Sequence, residues 1–349
     1  MKIKHHILLL SAARAMGGQA VLNGVMMRGE KSYAVACRRA DESIDVKIFD
    51  VPSFAIKFSK FPLLRGVMGL GEAMALGYRA LMHSADLAIK DEEAKEKAEN
   101  GESQSTDDEE GKTLGKVTVG LSVTFSLVFF IALFIVAPLL GSKWIQNLFD
   151  LNHWQSFIVE SVLRLVIFLG YLSLVSLMSD IKRVFQYHGA EHKAIAAYEN
   201  DVVLTPPSAQ QFTTAHVRCG TNFLLIVMVM SIVFYAGIAA FLPGIPIWGL
   251  ILSRILVIPL IAGVSYEIIR AAATRMEHVL VRVLIKPGLW LQKITTRAPS
   301  DDQCEVAIVS LKSVFSPEQL NEVESRTKLL AEPSWQTIDE VQQKLAISA

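Results

Sequence analysis

The chain has 349 residues, of which 52% are hydrophobic, and its mean hydropathy of +0.38 is too high for a purely soluble protein. Its 34 basic and 34 acidic residues cancel, which leaves no net positive field to gather nucleic acid. Cys37, Cys219 and Cys304 are scattered and odd in number, which speaks against a disulfide framework and fits a reducing compartment.

Met1 to Ala15 mimics a secretory signal, with Lys2, Lys4 and the run Ile7-Leu8-Leu9-Leu10. That run is too short for the apolar core of a signal, and Arg14 interrupts the cleavage-like stretch. Translation starting at Met16 is an alternative. Four glycines then punctuate Gly17 to Gly29, permitting close backbone approach. There Gln19, Asn23 and Arg28 would offer donors to an anion or a substrate carbonyl. The plainer reading is a glycine-rich turn leading into a hairpin. Ser32–Arg39 and Ile44–Val51 flank Ala40-Asp41-Glu42-Ser43 and predict that hairpin, with Cys37 as a small core residue.

Pro62–Lys90 reads as an amphipathic helix that packs on a bundle or lies in a membrane interface. Asp91–Lys112 carries ten acidic and three basic residues and almost no large apolar ones, so it reads as a disordered tether. Val117–Leu140, Trp154–Met178, Asn222–Leu242 and Ile245–Val264 predict four transmembrane helices. Glu160 stands four residues before Arg164 and predicts an intrahelical ion pair, whereas Arg254 has no such local partner. Of the 34 lysines and arginines, Lys143 alone falls on the side of the first and third connections, and Arg164 and Arg254 lie within spans. The positive-inside rule then puts both terminal regions, and the connection 179–221, in the cytoplasm.

That connection carries the chemistry. His188 and His192 are four apart and share a helix face with Glu191, the His-x-x-Glu-His spacing of inverted zinc peptidases. Two imidazoles suit one divalent metal, expected to be Zn²⁺. Cys219 or His216 is the expected third ligand, and Glu199 is next. Glu191 would serve as general base toward water that the metal activates. Four tight ligands would instead close the site and make it structural. In the simplest alternative, two solvent-facing histidines lie on a juxtamembrane helix, with Glu191 paired to Lys193 or Arg218. Beyond the last span, Glu267–Trp290 reads as a cationic helix interrupted by Pro287-Gly288. On it Glu267 and Arg270 would point toward the histidines or simply mark the membrane edge. His278 reads as surface, and Pro317–Ala346 as one or two amphipathic helices. No Walker loop, dinucleotide fingerprint or nucleophile elbow is present in the sequence.

At these motifs the chain resembles the YqhQ-like family of bacterial membrane proteins, a domain of unknown function sometimes labelled a predicted metal-dependent enzyme. The resemblance covers about Gly17 to Val314. It rests on Gly17-Gly18-Gln19-Ala20-Val21, Gly24 to Gly29, Phe185 to Lys193, Tyr198-Glu199 and His216-Val217-Arg218-Cys219-Gly220-Thr221. Ser265 to Arg270, Pro287 to Gln292 and Thr295-Thr296-Arg297 complete it. It implies a polytopic membrane protein. Asn23 departs from the pattern, standing where the family typically has a glutamate.

The expected architecture is mainly α, a polytopic helical membrane protein with about four transmembrane helices and a small cytoplasmic β-hairpin and helical portion. Its parts are a cytoplasmic region (1–90), a linker (91–112), the bundle (113–266) and a cytoplasmic helical region (267–349). The expected function is a metal-dependent integral-membrane enzyme, a hydrolase acting at the cytoplasmic face of the inner membrane. Its partners would be the bilayer and a small-molecule, lipid or peptide substrate. Possible substrate-side or supporting residues are Gln19, Asn23, Arg28, Glu199, Arg218, Glu267 and Arg270. The alternative is a non-enzymatic scaffold or transport-related protein in which the same cluster is structural.

Overall fold

The computed structural model describes residues 16–51, 60–100, 121–122, 124–241, 244–273, 275 and 278–331. The signal-like segment, residues 101–112 of the acidic stretch and the tail beyond 331 lie outside them. The described chain is mainly helical, with one four-stranded sheet and four helices long and apolar enough to cross a membrane.

The glycine-rich stretch forms strands rather than a turn alone. β1 (Gly17–Val21), β2 (Gly24–Arg28), β3 (Ser32–Arg38) and β4 (Ile44–Asp50) make an antiparallel meander in sequence order. Asn23 makes the first turn with φ 53°, a left-handed conformation that asparagine tolerates better than most residues. The central strands β2 and β3 are covered on both faces, which explains the unbroken apolar run from Tyr33 to Cys37. On one face Val21, Met26, Tyr33, Val35 and Cys37 pack with Leu76, Ala80 and Leu87 of α1 (Leu64–Asn100). On the other, Val25, Met27, Ala34 and Ala36 meet α4 (Ser179–Glu199) and α9 (Asp301–Lys312). α9 is an element beyond those expected from the sequence. Its start carries a capping box, Ser300 with Gln303.

α1 runs past Lys90 to Asn100, so residues 91–100 are helical and not part of a tether. The cause is local: alanine, glutamate and lysine favour helix, and Asp91 is held by Arg39 and the Ala40 N–H at 2.7 and 2.9 Å. The N-terminal end of α1 is tied to the last of the candidate spans. Arg65 and the Leu63 N–H both engage Glu267, and a Cβ at Gly66 would come within 2.8 Å of Tyr266.

The candidate spans are α2 (Thr124–Phe149), α3 (His153–Val175), α6 (Gly220–Phe241) and α7 (Ile247–Ala273). α2 outruns the expected end at Leu140, until Asp150 turns left-handed at φ 48° and Asn152 caps α3 in a box with Gln155. α7 likewise outruns Val264, so Glu267 and Arg270 belong to it rather than to a separate cationic helix. α8 (Val279–Thr295) continues through Pro287, contrary to the expected interruption. Gly288 lets α8 close on Asn222 of α6, and that packing offsets the backbone hydrogen bond lost at proline. α5 (Pro206–Gln210) and α10 (Pro317–Ala331) complete the chain.

Candidate metal centre

α4 places His188, Glu191 and His192 on one helix face, with Glu191 beside β1. The loop after α5 runs back along this face before α6 begins. Lys193 holds that loop by donating to the Gln210 and Phe212 carbonyls at 3.0 and 2.5 Å. Gln292, fully buried in α8, accepts from the His216 N–H at 2.8 Å and donates to the His216 carbonyl at 2.9 Å. This pair of bonds brings Cys219 over the two histidines.

Among the described residues, His188, His192 and Cys219 form a group whose ligand atoms all lie within 4.8 Å of one another. The His188 Nε2 to Cys219 Sγ distance is 3.2 Å, and the two imidazole centroids are 4.4 Å apart. Two imidazoles and a thiol are a donor set that suits zinc.

The hydrogen bonds behind the rings fix which nitrogen is free. His188 Nδ1 lies 2.8 Å from the Thr295 carbonyl and His192 Nδ1 lies 2.5 Å from the Thr214 carbonyl. A carbonyl only accepts, so both Nδ1 atoms carry the proton and both Nε2 lone pairs are available. Backbone carbonyls behind the rings are how metal-ligating histidines are commonly oriented. Thr295 ends α8, so its carbonyl is one of the orphan acceptors at a helix C-terminus. Cys219 Sγ accepts from the Thr221 hydroxyl at 3.2 Å and the Thr221 N–H at 3.5 Å. Burial pushes the Cys219 thiol up, and those two donors act against it.

Glu191 is buried against the sheet. A Cβ at Gly18 would come within 3.0 Å of its carboxyl, so β1 approaches only because glycine is there. Burial raises the Glu191 pKa from 4.5 to about 7 and Cys219 adds to the rise, while His188 and the Gly18 N–H oppose it. Its Oε2 is buried with no hydrogen-bond partner. Burial, reinforced by His188, lowers His192 to about 3, which keeps its imidazole neutral and competent as a ligand.

These shifts set a test on metal-free protein. A carboxyl whose pKa is 4.5 unfolded and about 7 folded binds its proton more tightly when folded. Its favourable contribution is full below pH 4.5 and is lost as pH rises through 7. Glu191→Gln removes this loss. It is expected to stabilise the metal-free protein by up to about 3 kcal/mol at pH 8 and to change nothing near pH 4. Thermal unfolding in detergent at both pH values checks this; equal shifts at both would contradict it.

The other candidates stand elsewhere. His216 Nε2 faces Glu199 at 3.4 Å rather than joining the three-ligand group, although its ring is 5.6 Å from that of His192. Glu199 also pairs with Arg218, so Arg218 is not the partner of Glu191. Gln19 lies against Gly77 of α1, Asn23 makes a turn and Arg28 pairs with Glu72. Glu267 is taken by Arg65, and Arg270 is exposed at the end of α7. Neither is placed with the histidines. Cys37 and Cys304 are buried in the two sheet cores, with pKa values pushed up to about 12 and about 11 by burial. The sequence reading gave no role to Gly18, Thr214, Gln292 or Thr295. Gly18, Gln292 and Thr295 stand in motifs that carry the family resemblance, the one signal the sequence offers for them, and Thr214 stands in none.

No solved structure matches the chain. A Bacillus subtilis (strain 168) protein described as "Uncharacterized protein YqhQ" is 35% identical over 315 residues, covering 88% of this chain and 94% of that protein. Residues 61–317 match the family described as "Protein of unknown function (DUF1385)". With that match spanning most of its length, the chain belongs to the DUF1385 family.

Proposed function

We propose that the protein is a zinc-dependent hydrolase of the cytoplasmic membrane, acting at the cytoplasmic face. His188 Nε2, His192 Nε2 and Cys219 Sγ hold the ion. The observation that carries this reading is the pair of carbonyls behind the two rings, which turns both free nitrogens toward one sulfur. A thiolate beside two imidazoles favours zinc over harder ions. Three protein ligands leave a position open, as catalytic zinc sites do. Zinc so held supplies Lewis acidity, which polarises a carbonyl or phosphoryl oxygen and acidifies water. Glu191 takes the proton: its unpartnered Oε2 is the acceptor, and a pKa near neutrality suits a group that must both accept and return one. His188 and Cys219 are only half-buried, which leaves a route for substrate. The basic residues favour this orientation. The Asp150–Asn152 connection has none, and Lys143 now lies within α2.

Metal removal tests the reading. Dialysis of the full chain against a strong chelator is expected to release one zinc per chain and to lower its melting temperature. Zinc returned at about 100 times its Kd would restore about 2.7 kcal/mol. A melting temperature indifferent to both steps would contradict it.

A second reading keeps the cluster structural. The His188–Cys219 contact at 3.2 Å is short enough to be a hydrogen bond of the thiol, which would staple the loop to α4 without an ion. The chain would then be a scaffold or transport-related protein.

A further inference from the structure

Away from the histidines, the spans bury a charge imbalance. Glu160 binds Arg164 at 2.6 Å within α3, and it also receives Arg254 of α7 at 2.8 Å. One carboxylate thus faces two guanidiniums. The four spans contain one other acidic residue, Glu267, and Arg65 occupies it. The Tyr235 ring lies 4.6 and 5.1 Å from the two guanidinium carbons and compensates in part. Among the described residues one positive charge stays unmatched where charge is expensive. Arg164 is 4% exposed, and its Nε and Nη1 are buried without a hydrogen-bond partner.

Arg164 and Tyr235 stand in the wall of a cavity of about 490 Å³ between α2, α3, α6 and α7. That volume is in the range of small-molecule sites, about 300–1,000 Å³. The rest of the wall is almost wholly apolar, with Phe129, Phe134 and Phe168 among its residues. Along α6 it runs from Leu224 to Tyr235, a rise of about 16 Å. Phe125 and Phe130, at its outer side, are exposed where lipid chains would lie.

We propose that this cavity binds a single-chain anionic amphiphile, with its carboxylate or phosphate on the unpaired N–H groups of Arg164 and its hydrocarbon chain along the phenylalanine wall. The cavity's apolar surface accounts for the chain, and the missing negative charge accounts for the headgroup. A neutral lipid tail would fill the space and leave Arg164 unmatched. The proposal is independent of the zinc reading, because its residues and its assay involve no metal.

The test uses the full chain in maltoside micelles with radiolabelled palmitate. Saturable binding is expected, displaced by unlabelled palmitate and by lysophosphatidylglycerol, but not by hexadecanol or inorganic phosphate. The stronger of the two displacing anions identifies a carboxylate or a phosphate headgroup, and either fits. Arg164→Gln leaves Glu160 and Arg254 as a one-to-one pair and is expected to weaken palmitate at least tenfold, to the level of hexadecanol. Val227→Trp fills the cavity with Arg164 intact and is expected to abolish binding, so the test survives if the arginine variant fails to fold. Displacement by hexadecanol equal to that by palmitate would overturn the proposal. So would displacement by inorganic phosphate, absence of saturable binding, or unchanged binding in either folded variant.

Discussion

His192→Ala is expected to cost zinc affinity more than about 100-fold and to leave the purified chain without stoichiometric metal. Disturbing the partners behind a ligand already costs about 10–100-fold, and this change removes the ligand itself. The fold should survive. Without its ring the adjoining loop keeps both Lys193 bonds and the Gln292 clamp. The useful comparison is Thr214→Ala. It retains the carbonyl that orients His192 and removes only the side chain, so metal content should stay near one. Metal analysis of the three proteins checks this. A His192→Ala chain that keeps full zinc would place the ion elsewhere.

Glu191→Gln is expected to do the opposite, retaining zinc and fold while abolishing function. Loss of a positioned proton acceptor typically costs 10²–10⁴-fold in rate, and glutamine keeps the shape and the bond to the Gly18 N–H without accepting a proton. The readout is complementation of a strain lacking its own copy, with zinc content measured on the same variant. Full complementation by a zinc-loaded Glu191→Gln chain would remove the hydrolase reading and leave the structural one. The pH-dependent stabilisation of the metal-free variant is a separate consequence of burying this carboxyl, and it persists under either reading.

Local patterns in the chain account for much of the architecture. Four long apolar runs announce four helices, and the turn-like Ala40-Asp41-Glu42-Ser43 between two strand-like runs announces β3 and β4. Helix ends were less legible. α2 and α7 outrun their apolar windows because helical hydrogen bonding does not stop where hydropathy falls; α2 stops only where Asp150 turns left-handed. β1 escaped because its glycines suit a turn as well as a strand. Only the tertiary fold shows that Gly18 is small to admit Glu191. Spacing alone put His188, Glu191 and His192 on one face. Choosing Cys219 over His216 required the return path of the loop, which Gln292 sets from a distance of 76 residues in sequence. No local pattern carries that information. The same holds for Arg254, whose partner Glu160 is 94 residues away.

X-ray absorption at the zinc edge of the purified full chain tests the central claim most directly. Two nitrogens at about 2.0 Å and one sulfur at about 2.3 Å are expected, with the sulfur shell lost in Cys219→Ser. A zinc shell of oxygen and nitrogen alone in the unaltered chain, or a sulfur shell that survives Cys219→Ser, would contradict it.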